Sequence, residues 1–488
     1  MMESSVITAA PGRAESAAPR PLCVDLDGTL VKSDTLADSL LLLVRKQPLQ
    51  AAIYLLSLQH GKAAFKARVA SLTTLDVEHL PWNRPLLDYL AEQRATGRKI
   101  FMVTGADTRV ARRIADYMDL FEDILASDGE TNQTGNRKLA TLKEKFGEGF
   151  DYIGNARADA PALVRSGQAM AANPTRRLRS LIRSGVVPVS RTFEDRPAAW
   201  KSVLKAIRPH QWAKNVLIFV PLLLAHAIAL PLPWFALLAF ACFSLCASAA
   251  YILNDLLDIE ADRRHPKKSR RPFAAGNLSA GTGLGMAALL LAAAFGGSAF
   301  FTPNFAEWMA TYFVATLAYS LWFKRVVLVD VLLLSGLYTL RLLAGAAAVG
   351  VSISPWFAAF SVFLFLSLAI VKRFSELQNI RAQGGLPANG RGYLLADIEQ
   401  LRSFGTVCGL GAVLVFSLYI NSYDVTGLYR HPARMWLIVP LLLWWIFRVW
   451  LLASRAELDE DPVIYAVTNR VSLLICLAIA AAAIFAAV

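Results

Sequence analysis

The sequence predicts an α/β domain with a parallel sheet, followed by an all-α polytopic membrane domain of about nine transmembrane helices. Two observations lead to this fold class. Hydrophobic residues make up 55% of the 488-residue chain. From about residue 215 they concentrate in runs near the ~20 residues that span a bilayer. The preceding region instead alternates short buried-strand patterns with helical patterns, which is typical of an α/β fold.

Composition divides the chain into four segments. Residues 1–19 are rich in Ala, Ser, Pro and Gly and are predicted to be a disordered tail. Residues 20–173 form the predicted α/β domain, 174–199 an Arg-, Ser- and Pro-rich linker, and 200–488 the membrane domain. The nine predicted spans lie at 215–231, 234–253, 281–301, 305–323, 326–349, 354–371, 404–421, 434–453 and 469–488.

The net charge of +13 follows the predicted membrane topology. Nearly all loop Lys and Arg lie in alternate connections, at 254–280, 324–325, 372–403 and 454–468. This positive-inside pattern predicts an integral protein of the bacterial inner membrane with a cytoplasmic N-terminal domain. Because the charge follows topology, we expect no nucleic-acid partner. The five cysteines have no metal-ligand spacing and indicate packing.

Polar residues follow three predicted strands of the N-terminal domain. Asp-Leu-Asp-Gly-Thr occupies residues 25–29, Thr104 ends a second strand and Asn155 follows a third. Ligands collect at the carboxyl ends of parallel strands, so these residues predict a site. The motif resembles the haloacid dehalogenase (HAD) phosphohydrolase superfamily, which implies a Rossmann-like domain with a helical cap.

The HAD resemblance implies a role for each matching residue. Asp25 would be the nucleophile that takes the phosphoryl group, and Asp27 the general acid and base. Thr104 would bind phosphoryl oxygens, and Lys138 would neutralise charge beside the nucleophile, with Lys143 and Lys145 as rivals. Mg²⁺ would be held by Asp25, Asp27 and Asn155, where Asn155 replaces the family's aspartate and is followed by Asp159. A degenerate, structural domain is the alternative.

The region between Asp27 and Thr104 is long enough for a helical cap, and its segment 37–59 is very apolar. Lys46 and Pro48 interrupt this segment, so it is a poor transmembrane candidate. One interpretation is the core of the cap. The other is a surface that contacts the bilayer and admits a lipid-linked phosphate.

A second cluster of acidic residues follows the second predicted span. Asp255, Asp258 and Asp262 recur at i, i+3 and i+7, which places them on one face of a helix, and Asn254 precedes them. An intensely basic segment, 263–271, follows directly. Carboxylates on one face can hold Mg²⁺, and adjacent cations can bind phosphate oxygens. We therefore predict a site for a diphosphate at the membrane surface.

This motif and the nine spans resemble the UbiA-type intramembrane prenyltransferase superfamily. That resemblance implies Mg²⁺ on Asn254, Asp255, Asp258 and Asp262, with Asp255 and Asp258 also catalytic. Most members carry a second aspartate-rich motif after the sixth span, where this chain has Val-Lys-Arg-Phe-Ser-Glu at 371–376. With the motifs at 208–215 and 338–345, this departure resembles the decaprenyl-phosphate phosphoribosyltransferases.

The phosphoribosyltransferase resemblance implies phosphoribosyl diphosphate as donor and a polyprenyl phosphate as acceptor. Lys214, Arg271, Lys372 and Arg373 are candidates to bind the phosphates, although each also fits an interfacial, positive-inside cation. Arg341 lies inside an apolar span, where a charge costs at least ~2.5 kcal/mol, so we expect it to be functional; a snorkelling side chain or a structural ion pair is the alternative.

The fusion predicts that the HAD domain removes the 5-phosphate of the lipid product. The alternative enzyme is an aromatic or haem prenyltransferase that uses a prenyl diphosphate and carries a degenerate HAD domain. A transporter or lipid-binding protein would instead place its charges near the bilayer midplane, whereas most charges here cluster at helix ends.

Overall fold

The structure is a computed structural model that describes residues 19–55, 61–226, 229–382, 391–458 and 462–488. Apart from residue 19, the predicted tail lies outside these ranges. The chain forms two compact units: Met1–Pro197, with Arg263–Pro266 and Ala275–Asn277, and Ala198–Asp262, with Lys267–Ala274 and Leu278–Val488. Each unit is described by itself.

The first unit is an α/β domain with one six-stranded parallel sheet in the order β3-β2-β1-β4-β5-β6. Its strands are β1 (Leu22–Val24), β2 (Ile100–Asp107), β3 (Asp123–Ser127), β4 (Asp151–Gly154), β5 (Ala169–Ala172) and β6 (Val189–Phe193). The strand order reverses at β1, between β2 and β4. An open parallel sheet binds ligands outside the carboxyl ends of its strands at such a switch point.

Eight helices accompany the sheet: α1 (Thr35–Lys46), α2 (Pro48–Leu55), α3 (Lys62–Leu72), α4 (Arg84–Ala95), α5 (Thr108–Met118), α6 (Asn136–Phe146), α7 (Ala160–Arg165) and α8 (Arg176–Arg183). Successive strand residues face opposite sides of a sheet. Leu22 and Val24 therefore pack with α4 and α5, and Cys23 packs with α6, α7 and α8. Helices α1 to α3 form the helical insertion expected after the first strand.

The sequence predicts a linker at 174–199, and this prediction is wrong for most of the segment. It contains α8 and β6, and β6 pairs in parallel with β5 at the edge of the sheet. Three of the five β6 residues are exposed, and only Leu178 of α8 is buried. An edge strand and a surface helix need few apolar residues, so their composition resembled that of a linker.

The second unit is helical. Its helices are α9 (Ala199–Ile207), α10 (Val220–Leu224), α11 (Leu232–Leu257), α12 (Ile259–Arg264, which ends in the first unit), α13 (Ala280–Ser298), α14 (Pro303–Leu321), α15 (Val329–Val349), α16 (Pro355–Ala382), α17 (Ile398–Ile420), α18 (Tyr423–Thr426), α19 (Ile438–Ser454), α20 (Pro462–Thr468) and α21 (Arg470–Ala487). Short 3₁₀ segments occur at Pro209–Phe219, Phe323–Arg325, Leu395–Asp397 and Pro432–Leu437.

Within the described residues, seven helical segments are long and apolar enough to cross a membrane. They are Leu232–Leu257, Ala280–Ser298, Val329–Val349, Pro355–Ala382, Leu395–Ile420, Pro432–Ser454 and Arg470–Ala487. The first predicted span instead contains a 3₁₀ segment and the short α10, and α14 is not among the seven. The total of nine stays a prediction.

Close helix packing explains one glycine of the membrane unit. A Cβ at Gly345, on α15, would lie 2.3 Å from the backbone oxygen of Ile218. Small residues allow backbones to approach closely where two membrane segments meet. The glycine that ends the motif at 338–345 therefore has a packing role.

Candidate active sites

The first site lies directly after β1, where the acidic motif begins. Gly28 has a φ of +76°, and a Cβ there would lie 1.9 Å from Nδ2 of Asn155. Only glycine tolerates this backbone and this proximity at little cost. The turn therefore holds Asn155, which follows β4, against the Asp-Leu-Asp-Gly-Thr segment.

Lys138 joins the nucleophile candidate to a buried polar network. Its Nζ lies 2.7 Å from Asp25 Oδ1, 3.0 Å from Asp159 Oδ1 and 3.0 Å from the hydroxyl oxygen of Tyr152. Burial raises the pKa of Asp25 to about 6, and the Lys138 ammonium opposes this shift. A salt bridge of this kind favours the ionised carboxylate that a nucleophile requires.

The two rival lysines lie elsewhere. Lys143 pairs with Glu148, and Lys145 pairs with Asp123. Both rivals are on α6 with Lys138, which is buried on the face toward the sheet. Helix geometry therefore separates the three lysines, and only Lys138 contacts Asp25.

Asp159 positions the network. Its Oδ1 accepts hydrogen bonds from Lys138 and the Tyr152 hydroxyl, and its Oδ2 accepts the backbone N–H groups of Asn155 and Ala156. Both oxygens are thus committed within the protein. We infer that Asp159 orients Lys138 and the loop after β4. Sequence reasoning missed Tyr152, because an aromatic residue in a buried strand reads as core.

Asp27 lies shortly after β1, and Thr104 lies within the neighbouring strand β2, which continues to Asp107 and does not end at Thr104 as the sequence predicts. Asp27 Oδ1 accepts the Thr35 N–H at 2.8 Å, and the Thr104 hydroxyl oxygen accepts the Ala106 N–H at 3.0 Å. Burial, with the nearby Asp34 carboxylate, raises the pKa of Asp27 to about 7. A carboxyl group with a pKa near neutrality can donate and accept a proton during turnover.

A small cavity beside Asp27 is lined from the cap. Its volume is about 50 Å³, and α1 and α3 line it together with Asp27 and Asp107. Lys66 of α3 lies there, and its Nζ donates to the carbonyl of Gly105 and to the side chain of Asn132. The cap therefore supplies a cation at the entrance, which sequence reasoning did not identify.

The donor set of this site fits Mg²⁺. Asp25 supplies a carboxylate oxygen, Asn155 supplies an amide oxygen next to the same turn, and Asp27 can contribute its backbone carbonyl, which leaves its carboxyl group to exchange a proton. Oxygen ligands of this kind are those that Mg²⁺ prefers. The three residues predicted as ligands are thus brought together.

The second site is a cavity of about 340 Å³ inside the helical unit. Four tyrosines and Asn254 contribute to its wall, and seven cations line it: Arg208, Lys214, Arg271, Arg341, Lys372, Arg373 and Arg391. No Asp or Glu among the described residues lines it. So many positive charges in a helical bundle are suited to a molecule with several negative charges.

The acidic motif lies beside this cavity, across a break in the helix. Helix α11 ends at Leu257 and α12 begins at Ile259, so Asp258 lies between them. The single helical face expected for the three aspartates is therefore interrupted. Arg271 rejoins the motif, because its Nη1 lies 3.0 Å from Asp255 and 2.7 Å from Asp262.

Two further cations contact the acidic motif. Arg208 donates to Asp255, and Lys324 lies 2.6 Å from Asp258. In the sequence, Lys324 is notable only as one of the basic residues of the connection at 324–325. Burial raises the pKa of Asp262, the nearby carboxylates of Asp255 and Asp258 add to this, and Arg271 opposes it.

One unpartnered oxygen indicates that the acidic motif can hold a hard cation. Asp255 is 2% exposed, and its Oδ2 is buried without a hydrogen-bond partner in the described part of the chain. A buried carboxylate oxygen is costly to leave unsatisfied. Oxygens from Asn254, Asp255, Asp258 and Asp262 form the donor set that Mg²⁺ prefers.

Arg341 is buried in the wall of the cavity. Its Nε donates to Asn215 at 2.9 Å, and its Nη2 donates to the Tyr312 hydroxyl at 3.0 Å. The guanidinium also faces the rings of Phe243 and Tyr338 at 5.7 and 5.2 Å. These contacts offset the cost of burying the charge and fix its direction.

Arg373 differs from the simple phosphate ligand that its position suggested. Its Nε donates to Asp330 at 2.6 Å, its Nη1 to Glu376 at 2.9 Å and its Nη2 to Tyr319 at 3.1 Å. Asp330 is fully buried and also accepts the Tyr393 hydroxyl at 2.6 Å. All three nitrogens of Arg373 are therefore engaged by the protein.

Arg391 is a further cation that sequence reasoning missed. It lines the cavity, and its Nη1 lies 3.0 Å from Glu376, the residue that also holds Arg373. Tyr393, two residues later, is bound to Asp330. No local pattern marks this loop arginine. Lys214 and Lys372, both candidates to bind phosphate, also line the cavity, with Lys214 Nζ 5.8 Å from the Tyr338 ring centre.

Taken together, the apolar helices define an integral membrane protein, and its helical unit contains a cavity lined by cations. The UbiA prenyltransferase family model matches residues 216–473. This chain belongs to that family, as its acidic motif suggested.

Three relatives extend the comparison. Uncharacterized protein y4nM of Sinorhizobium fredii is 35% identical over 474 residues, which cover 96% of this chain and 91% of that protein. Nodulation protein NoeC of Azorhizobium caulinodans is 36% identical over 292 residues, 58% of this chain and 92% of the relative. Decaprenyl-phosphate phosphoribosyltransferase of Mycobacterium tuberculosis is 34% identical over 227 residues, which cover 46% of this chain and 74% of that protein.

Proposed function

We propose that the membrane unit transfers 5-phosphoribose from phosphoribosyl diphosphate to a polyprenyl phosphate. The observation that carries this proposal is the cavity with seven lining cations and, among the described residues, no lining carboxylate. Donor and acceptor together bring a diphosphate, a 5-phosphate and a lipid phosphate. The similarity to a decaprenyl-phosphate phosphoribosyltransferase supports the same substrates.

The reaction forms a bond between a lipid phosphate oxygen and C1 of ribose. The bond between C1 and the diphosphate breaks, and the diphosphate leaves with the electron pair. Because the acceptor phosphate is already anionic, no general base is required. Arg208 and Arg271, which contact Asp255, lie where they can hold the leaving diphosphate beside the acidic motif.

Asn254, Asp255, Asp258 and Asp262 would hold Mg²⁺ at this site. When bound, the ion supplies Lewis-acid stabilisation of the leaving diphosphate. Lys214, Arg341, Lys372 and Arg391 line the remaining wall and would orient the 5-phosphate and the acceptor phosphate. Arg373 and Arg391 both pair with Glu376, so Arg373 would help to position Arg391 through that carboxylate.

We further propose that the α/β unit hydrolyses the 5-phosphate of the lipid product. Asp25 attacks phosphorus, the bond to the ribose O5′ breaks, and Asp27 protonates that oxygen as it leaves. Water, deprotonated by Asp27, then releases phosphate from Asp25. Lys138, 2.7 Å from Asp25, offsets the repulsion between carboxylate and phosphoryl oxygens. Mg²⁺ on Asp25, Asp27 and Asn155 would add to this stabilisation.

Purified full-length protein tests the transferase. With Mg²⁺, phosphoribosyl diphosphate and polyprenyl phosphate, it should release diphosphate and form a phosphoribosyl lipid. Asp258→Asn should lower kcat at least about a hundredfold, because it removes one negative donor from the motif. Excess chelator should abolish turnover. If only a prenyl diphosphate and an aromatic acid are consumed, the proposal is overturned in favour of an aromatic prenyltransferase.

A single substitution tests the phosphatase independently. Asp25→Asn removes the nucleophile and should leave the transfer rate unchanged while the 5-phosphorylated lipid accumulates. Lys143→Ala is the matched control, because this lysine pairs with Glu148 instead of Asp25. Equal dephosphorylation by wild type and Asp25→Asn would refute the phosphatase role.

A further inference from the structure

The cap of the α/β unit carries an exposed apolar pair. Leu49 is 81% exposed and Ile53 is 65% exposed, and their i, i+4 spacing places them on the same side of α2. Ala51, on the opposite side, is buried. Two large aliphatic side chains presented together on a helix are typical of an interaction surface. We name Leu49 and Ile53 the α2 face.

The charged residues in the sequence around the α2 face are all basic. Residues 39–75 contain no Asp or Glu and five Lys and Arg, of which Lys66 lines the cavity beside Asp27 and the other four are at positions 45, 46, 62 and 68. Arg45 and Lys46 lie in the last turn of α1, immediately before α2. Apolar side chains flanked by cations are the composition of segments that lie on an anionic membrane surface.

The same cap encloses the phosphatase site. Thr35, Leu36 and Ser39 of α1 line the small cavity beside Asp27, and α3 contributes its opposite wall. A surface that binds to the cap would thus contact the helical insertion that also lines this cavity. The chain is an integral membrane protein, so a bilayer is always available to it.

We propose that the α2 face docks on an anionic bilayer surface and directs the Asp25 and Asp27 site toward phosphate monoesters held in the membrane. The inference rests on the proposed phosphatase function and defines its substrate class as lipid-anchored. A polyprenyl chain keeps its headgroup at the bilayer surface, so the enzyme reaches the phosphate by approaching that surface. A soluble phosphate ester reaches the same carboxylates without docking.

Two substrates separate docking from catalysis. Full-length protein in anionic nanodiscs is assayed with para-nitrophenyl phosphate and with the 5-phosphorylated lipid. The double variant Leu49→Glu, Ile53→Glu should lower kcat/KM for the lipid at least about tenfold, because two apolar contacts become charge repulsions. Its kcat/KM for the soluble ester should remain within about twofold of wild type, since neither residue lines the site.

Val186→Glu is the matched control. Val186 is an exposed aliphatic residue of the same unit, outside the cap, and its substitution should change neither activity. Equal kcat/KM for the lipid in wild type and the double variant overturns the docking proposal. If wild type hydrolyses neither substrate, the phosphatase function itself fails, which is a different outcome.

A second measurement identifies what covers the α2 face. An environment-sensitive fluorophore on Leu49→Cys should shift to the blue in anionic nanodiscs and less in zwitterionic ones, with the labelled wild type as blank. The same fluorophore on Val186→Cys should not shift. A shift that appears in detergent and grows with protein concentration would assign the face to a second copy of the chain and overturn the proposal.

Discussion

Replacing Asp330 with asparagine tests whether the buried network around Arg373 stabilises the membrane unit. The side chains of Arg373 and Asp330 are 2% and 0% exposed, and the Nε–Oδ2 distance is 2.6 Å. The variant Asp330→Asn keeps the shape of the side chain and removes its charge. Arg373 would then retain one carboxylate partner, Glu376, which it shares with Arg391.

The expected cost follows from this burial. Removal of one partner from a buried ion pair typically costs about 3–5 kcal/mol, because the remaining charge is left uncompensated. Since Glu376 still contacts Arg373, we expect the lower end, about 3 kcal/mol, or roughly two powers of ten in the unfolding equilibrium. The free energy of unfolding is measured by denaturant titration of full-length protein in mixed micelles.

Two further variants isolate the ion pair. Tyr393→Phe removes only the hydroxyl that donates to Asp330 and should cost about 1 kcal/mol. The double variant Asp330→Asn, Arg373→Met removes both charges and should recover part of the lost stability. A cost below about 1 kcal/mol for Asp330→Asn, or purely additive effects in the double variant, would refute the reasoning.

The remaining predictions concern two glycines and one cation. Gly345→Ala places a methyl group 2.3 Å from a backbone oxygen and should lower the free energy of unfolding of the membrane unit by about 1–3 kcal/mol or more. Gly336→Ala, on the same helix but facing open space, should not lower it. Gly28→Ala should lower phosphatase kcat at least about tenfold through its asparagine contact, whereas Gly185→Ala, with a similar φ of +75° and no neighbour, should retain activity. Arg391→Ala should raise KM for phosphoribosyl diphosphate about 10–100-fold in steady-state assays, and Arg391→Lys should raise it less.

The α/β unit shows why strand-end reasoning succeeded. Asp25 and Lys138 are 113 residues apart in sequence yet in contact. This contact was expected from the HAD resemblance, because Lys138 lies on a helix. Strand ends predicted instead that Asp25 and Asn155 meet, because parallel strands bring their carboxyl ends to one edge of a sheet. The edge strand β6 was missed, since an exposed strand has no strong apolar alternation for sequence reasoning to use.

The membrane unit shows which features local sequence patterns cannot predict. The acidic motif was recognisable from spacing and charge, but its helix break at Asp258 was not. Arg341 was singled out correctly as a buried charge, while its partner Asn215 lies 126 residues away. Nothing in the sequence near Arg391 indicates that it lines the cavity.

The sequence by itself determined the two-part organisation, the family and the two acidic motifs, because composition and short-range spacing carry that information. Only the tertiary structure decided which cations line the cavity wall and which carboxylates hold them there. Arg373 and Arg391 both line the wall and share Glu376, and Arg373 also pairs with Asp330, 43 residues away. The physical reason is that an ion pair depends on the packing of distant helices, whereas a motif depends on its neighbours in the chain.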